Sequence, residues 1–278
     1  MSEWITLEQI DKTRDIVAEK IHTQPKIGLI LGSGLGDLAD KVENADVIPY
    51  DQLPLWPLPT IQGHKGRLVV GKLENQPILV MQGRTHYYEG PSMGQITFPI
   101  RVMQRLGIEI LIITNAAGAI NPDYVPGDVM MLTDHINLVG MTGLNPLRGP
   151  NLDVMGERFP DMSQPYDREL QQKCRDAAQA AGIQLREGVY TWLSGPSFES
   201  PADLRFLRAG GADAVGMSTV PEVIVARHGK TRVLGLSGIS NKANLDGSNM
   251  TTHAEVLEAG KVLVPRLTAL ITGVLRSL

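Results

Sequence analysis

The chain has 278 residues, enough to bury a substantial core, and its 26 Lys plus Arg against 30 Asp plus Glu leave a formal net charge of -4. That balance excludes a broad cationic footprint for nucleic acid, so any anion must be captured locally. With 42% apolar and 20% charged residues and no apolar run near a bilayer's thickness, the composition predicts no membrane partner and one globular α/β domain over 1–278.

Met1-Ser2-Glu3-Trp4 shows no basic region leading into an apolar stretch, so cytoplasmic residence is expected. Thr6-Leu7-Glu8-Gln9 has capping-box form, and Leu7, Ile10, Val17 and Ile21 keep roughly helical spacing, which predicts an opening amphipathic helix. The period then changes. Ile27-Gly28-Leu29-Ile30-Leu31 is a continuous apolar run ending in glycines, as expected of a strand covered on both faces and feeding a loop. Similar runs predict strands at 67–73, 77–81, 110–114, 129–132, 189–193, 214–217 and 233–239. Helical patterns occupy 96–106, 168–181, 201–209 and 221–228, with a long one from His253. Ser200-Pro201 places a capping hydroxyl before a proline, Thr252-His253-Ala254-Glu255 repeats the capping box, and Pro99 and Pro265 are expected to kink or split their helices. Cys174, the single cysteine, excludes an intrachain disulfide and a cysteine-rich zinc site, and its helical setting predicts a packed thiol. Residues 144–165 form the longest irregular stretch, and long loops are often functional.

Two glycine-bounded segments suit an anion. In Gly32-Ser33-Gly34-Leu35-Gly36, after the first strand, glycines and the Ser33 hydroxyl allow close approach of a charged group. The dinucleotide fingerprint needs G-x-G-x-x-G, whereas this run is G-x-G-x-G, and Asp51 follows Pro49 instead of closing a clean strand. In Met81-Gln82-Gly83-Arg84-Thr85-His86-Tyr87-Tyr88-Glu89-Gly90, Arg84 offers a planar fork for phosphate, His86 a donor whose charge can change near neutral pH, and Tyr88 a flat wall with a polar tip. Thr114-Asn115-Ala116-Ala117-Gly118-Ala119 ends a buried strand in small residues against which a ligand could lie. Gly229-Lys230-Thr231 lacks the earlier glycine of a triphosphate loop and precedes a strand, so it reads as a turn; no H-E-x-x-H or G-x-S-x-G occurs.

Taken together, Gly32-Ser33-Gly34-Leu35-Gly36, the Arg84-to-Gly90 cluster, Asn115-Ala116-Ala117-Gly118, Asp134-His135-Ile136-Asn137, Gly156-Glu157-Arg158-Phe159-Pro160, Gly195-Pro196-Ser197-Phe198-Glu199, Val215-Gly216-Met217-Ser218 and Ser240-Asn241-Lys242 resemble the trimeric purine nucleoside phosphorylases, from about Ile27 to the C-terminus. The resemblance implies a single α/β domain with a mixed, distorted central β-sheet flanked by helices, a homotrimer with sites near subunit interfaces, and phosphorolysis of 6-oxopurine nucleosides in purine salvage. It implies no cofactor or metal, with inorganic phosphate as co-substrate.

By the same resemblance Ser33, His64, Arg84, His86, the backbone at Ala116 and Ser218 would surround phosphate. Tyr88 and Met217 would face ribose, Val215 the nucleoside, His253 the ribose 5′-hydroxyl and Phe198 the base, while Phe159 would enter a neighbouring subunit's site. On residue type alone Met217 and Phe198 suit a core, and His253 a solvated helix start. Glu199 and Asn241 would hold the base: the carboxylate accepts from the N1 proton of a 6-oxopurine, and a 6-aminopurine lacks that proton, an absence that can discriminate by roughly 10⁴-fold. Ala119 and Ser240 depart from the family pattern, where Gly or Ser and Thr are usual, yet keep size or hydroxyl character. A binding protein without turnover, a xanthosine-preferring phosphorylase and a dehydrogenase are the competing readings.

Overall fold

The computed structural model describes residues 4–32, 35–61, 63–247 and 253–278, with side chains of the last segment from 258 onward. The chain runs through α1 (Leu7–Lys20), β1 (Ile27–Leu31), β2 (Glu43–Pro49), β3 (Arg67–Leu73), β4 (Gln76–Gln82), α2 (Met93–Arg105), β5 (Ile110–Ala119) and β6 (Val129–Ile136). It continues through α3 (Arg168–Ala180), β7 (Leu185–Trp192), α4 (Pro201–Ala209), β8 (Ala214–Gly216), α5 (Val220–His228), β9 (Arg232–Lys242) and α6 (His253–Arg276).

All of these strands join one mixed sheet in the order β2-β3-β4-β1-β5-β8-β7-β6-β9, and an added β5–β9 pairing closes its second half on itself. Two-residue periodicity explains how it is covered. Ile27, Leu29 and Leu31 of β1 pack with Leu170 and Cys174 of α3 and Leu263, Leu267 and Leu270 of α6, whereas Ile30 packs on the opposite face with Ile10 and Val17 of α1 and residues of α2 and α5. Each such fully buried aliphatic side chain contributes about 1.5–3 kcal/mol, so helices on both faces make the continuous apolar run of β1 stable as a central strand. Cys174 is buried in α3 and burial pushes its thiol up to about 12, which suits a packed, inert group.

The Thr6 and Ser200 caps form as the sequence predicts, each with its reciprocal side-chain bond. The Thr252 cap lies outside the described residues. Neither proline splits its helix: α2 continues through Pro99 and α6 through Pro265. A mid-helix proline costs about 3 kcal/mol, but Ile96, Phe98, Ile100, Val102 and Met103 are all buried by α2, and burial at about 1.5 kcal/mol or more per side chain outweighs it.

The strands also run longer than their apolar cores. β5 extends to Ala119 because Gly118 and Ala119 pair with Val215 and Ala214 of β8, β7 begins four residues earlier than its apolar run, and β9 continues to Lys242. β2 has no apolar signature, since it is an edge strand with burial confined mainly to Ile48. Leu35 leads into a 3-10 turn at Gly36–Lys41 and then β2, with no crossover helix, so β1 does not open a dinucleotide-binding βαβ unit.

Candidate active site

A cavity of about 300 Å³ opens where β5, β8 and β9 end. Register places it there. The β5–β9 ladder pairs Ala117 with Ile239 and then Gly118 with Asn241, leaving Ser240 as the extra residue of a β-bulge. Bulges re-aim side chains, and this one brings Ser240 and Asn241 to the cavity beside Ala116, Ala117 and Gly118. Glycine is required at two positions: a Cβ at Gly32 would fall 2.9 Å from both the Asn115 Cα and the Thr114 carbonyl oxygen, and Gly195 has a φ of 64, in the left-handed region.

At one end lies Arg84, with 4% of its side chain exposed. Its Nη2 donates to the Ser218 hydroxyl at 2.6 Å and to the Thr114 carbonyl at 3.1 Å, while Nε and Nη1 have no hydrogen-bond partner among the described residues. Buried donors without partners are costly, so this fork is suited to an oxyanion. Glu222 of α5 balances the charge from behind, its Oε1 3.6 Å from Arg84 Nη1. Ser218 is set by its neighbour Thr219, whose φ of 80 and ψ of -54 are strained for a β-branched residue. The Val220 amide donates to the Ser218 carbonyl at 2.9 Å across this γ-turn, and Asn115 Nδ2 donates to Thr219 Oγ1 at 2.8 Å.

Two imidazoles complete this end in opposite tautomers. The Arg84 amide donates to His64 Nδ1 at 2.9 Å, which leaves the His64 proton on Nε2. His86 Nδ1 lies 3.0 Å from Glu89 Oε1, which also accepts from the His86 amide at 2.7 Å, so Nδ1 carries the proton and Nε2 meets any ligand. Burial and then the Arg84 charge lower the His86 pKa against the opposing pull of Glu89. Neutral His86 therefore presents an acceptor, where its sequence context suggested a donor. Its ring stacks on Tyr88 at 4.9 Å and meets His64 edge-on at 5.4 Å.

Glu199, Asn241 and Phe198 line the same cavity as Arg84 and His86, and so do Tyr88, Val215 and Met217. Burial, aided by the charge of Asp203, raises the Glu199 carboxyl above its ordinary value. The Ser240 hydroxyl donates to Asn241 Oδ1 at 2.9 Å, and Asn241 Nδ2 donates to the Lys242 carbonyl at 3.3 Å.

The cavity thus gathers Arg84, His86, Tyr88, Ala116, Phe198, Glu199, Val215, Met217, Ser218 and Asn241, with His64 directly behind. Ser33 and the His253 side chain lie outside the described residues. Phe159 stands apart from the cavity, 86% exposed. Glu89 and Asn115 lie inside quoted motifs without an assigned role, and Thr219 and Glu222 carry no motif of their own, although a lone acid within the apolar Val220-Pro221-Glu222-Val223-Ile224-Val225 is itself a signal, because a buried carboxylate needs a partner. Among the described residues no group of three or more His, Cys, Asp or Glu side chains could hold a metal ion, and no helix is long and apolar enough to cross a membrane.

Comparison with known proteins gives the family. The model of the phosphorylase superfamily matches residues 26–276. Purine nucleoside phosphorylase 1 of Geobacillus stearothermophilus is 49% identical over 269 residues, covering 97% of each chain. The Mus musculus purine nucleoside phosphorylase is 46% identical over 282 residues, covering 100% of this chain and 98% of the other. The crystal structure of Schistosoma mansoni purine nucleoside phosphorylase in complex with inosine superposes with a TM-score of 0.94 at 38% identity, covering 98% of this chain and 97% of that one. The chain belongs to the purine nucleoside phosphorylases of the phosphorylase superfamily.

Proposed function

We propose that the chain, working as one domain over 1–278, catalyses reversible phosphorolysis of 6-oxopurine nucleosides such as inosine and guanosine, giving free purine and α-ribose-1-phosphate. One observation carries the reading: a single cavity is lined both by Arg84, two of whose guanidinium nitrogens lack hydrogen bonds among the described residues, and by the carboxylate–amide pair Glu199 and Asn241. In this reading phosphate takes the guanidinium, the base takes the carboxylate and amide, and Tyr88 and Met217 of the same cavity face the ribose between them.

In this reading Arg84, Ser218, the Ala116 backbone and His64 Nε2–H hold hydrogen phosphate, and His86 Nε2 accepts its remaining proton. A phosphate oxygen attacks the anomeric carbon as the glycosidic bond breaks and its electron pair passes to the purine, which takes up one proton, matching the one that hydrogen phosphate gives up, to leave as the neutral base. Positive charge on the sugar is met by phosphate, as in other oxocarbenium-like displacements, negative charge on the base is met by a donor of the Asn241 amide, and Glu199 holds the base by accepting from its N1–H. Base choice follows from the same pair: a 6-aminopurine leaves the half-buried Glu199 without its donor. Ser33 and His253 take the phosphate and 5′-hydroxyl roles implied by their motifs. Phe159 closes a neighbouring copy's site in a homotrimer, which its exposed phenyl ring supports.

The test is to incubate the protein with inosine or adenosine, with and without phosphate, and to follow free base by chromatography. Hypoxanthine released only with phosphate, with adenosine left intact, is the expected result. Release without phosphate would make the protein a hydrolase, and equal turnover of adenosine would remove the selective role of Glu199 and Asn241.

A further inference from the structure

Glu222 sits in the first turn of α5 with 6% of its side chain exposed. A carboxylate buried to that degree ordinarily has both oxygens hydrogen-bonded, yet Glu222 Oε2 has no partner among the described residues. Its Oε1 stands 3.6 Å from Arg84 Nη1, near enough for attraction but beyond a hydrogen bond, and Nη1 likewise has no hydrogen-bond partner among the described residues. The pairing therefore offsets the charge of Arg84 and leaves its Nε and Nη1 donors to a ligand. A group that served only to anchor the guanidinium would bond it, as the Ser218 hydroxyl and the Thr114 carbonyl do at Nη2.

The charge of Glu222 also reaches past Arg84 into the cavity. Burial leads in lowering the pKa of His86, and Glu222 is among the carboxylates that oppose it. The same field acts on any anion that Arg84 holds. Phosphate enters the site with its full negative charge, and as its oxygen bonds the anomeric carbon part of that charge passes to the sugar and base. A negative group behind Arg84 thus opposes bound phosphate more than it opposes the transition state, and an interaction that is worse in the ground state raises turnover.

On the phosphorolysis reading given above, we propose that Glu222 is a positioning residue acting through Arg84: it offsets the guanidinium charge without occupying its donors, so that phosphate is held loosely enough to react. Glu222→Gln removes the charge and keeps the shape. Initial rates with phosphate and inosine varied in turn should show kcat and the KM for phosphate both falling about tenfold, with the KM for inosine within about twofold of wild type. Glu222→Asp withdraws the charge by one methylene and should move both constants the same way by a smaller factor, about twofold. A structural anchor predicts the opposite sign, because Arg84 would come loose and the KM for phosphate would rise. That rise, unchanged constants in Glu222→Gln, or a fall in KM without a fall in kcat overturns the proposal. Where Glu222→Gln is too unstable for rate measurements, its thermal unfolding at increasing phosphate gives the dissociation constant, and a constant no tighter than that of wild type also overturns it. Glu222→Asp carries the test if Glu222→Gln does not fold. Wild-type protein that releases hypoxanthine without phosphate would remove the phosphorolysis reading itself, whereas phosphate-dependent wild-type turnover with the wrong sign in the variants removes only the role of Glu222.

Discussion

Ser240 shows how one hydroxyl sets a recognition group. As the extra residue of the β5–β9 bulge it lies between Ala117 and Asn241, and its single proton is shared between the Asn241 Oδ1 at 2.9 Å and the Ala117 carbonyl at 3.3 Å. The shorter contact holds the Asn241 oxygen within the protein, while its Nδ2 makes a longer bond of 3.3 Å to the Lys242 carbonyl. Removing the shorter contact allows the amide to turn and offer the base an oxygen in place of a donor. A neutral hydrogen bond of this kind is worth about 1 kcal/mol, so Ser240→Ala should lower kcat/KM for inosine roughly fivefold, leave the KM for phosphate unchanged, and be rescued by Ser240→Thr. Initial-rate kinetics with each substrate varied in turn decide it. An equal rise in both KM values would mean that the bulge itself had been lost. Glu199, Asn241 and Arg84 stand out in the sequence because they sit in short motifs with unusual polar content. Glu222 and Thr219 do not, because their roles arise from contacts with β4–α2 and β5 residues more than 100 positions away.

The turn at Tyr87–Glu89 is the element that holds His86, and one carboxylate organises it. Glu89 accepts from the His86 amide and ring through one oxygen and from the Thr60 amide and hydroxyl through the other, both at 2.6 Å. Burial alone would raise this carboxyl, but those hydrogen bonds outweigh it and hold the group at about 2. A carboxylate depressed in the folded state adds stability that is fully present above the ordinary carboxylate range and is lost as pH falls toward about 2. Glu89→Gln should therefore lower the urea midpoint clearly at pH 7 and by a smaller margin at pH 3, measured against the wild type at each pH. The same deficit at both values would show that Glu89 acts through shape and not charge. At this scale the buried strands and the capped helices were legible from periodicity alone. The edge strand β2 and the last residues of β5, β7 and β9 were not, because their pairing comes from neighbouring strands and from a bulge, and no local apolar pattern records either.

At the scale of the whole molecule the site described in one copy is open on a side where Phe198, 47% exposed, meets solvent, while Phe159, 86% exposed, projects elsewhere on the same chain. An exposed phenyl ring beside a substrate cavity, as Phe198 is, suits a surface completed by something else, and in the proposed homotrimer each open site would receive its neighbour's Phe159 ring. Covering one phenyl group is worth about 1.5 kcal/mol or more, so Phe159→Ala should raise the KM for inosine roughly tenfold and leave that for phosphate little changed. A loss of this size alone does not tell whether the ring acts on its own chain's site or on the next one, and a mixed assembly separates the two. Co-expressed with Glu199→Ala, whose own site is disabled, a Phe159→Ala copy would find an intact ring on its neighbour, and part of the assembly should recover wild-type KM for inosine. If Phe159 served its own chain, neither copy in the mixture would hold a complete site, and kinetics of the mixed protein would match the sum of the two variants assayed apart.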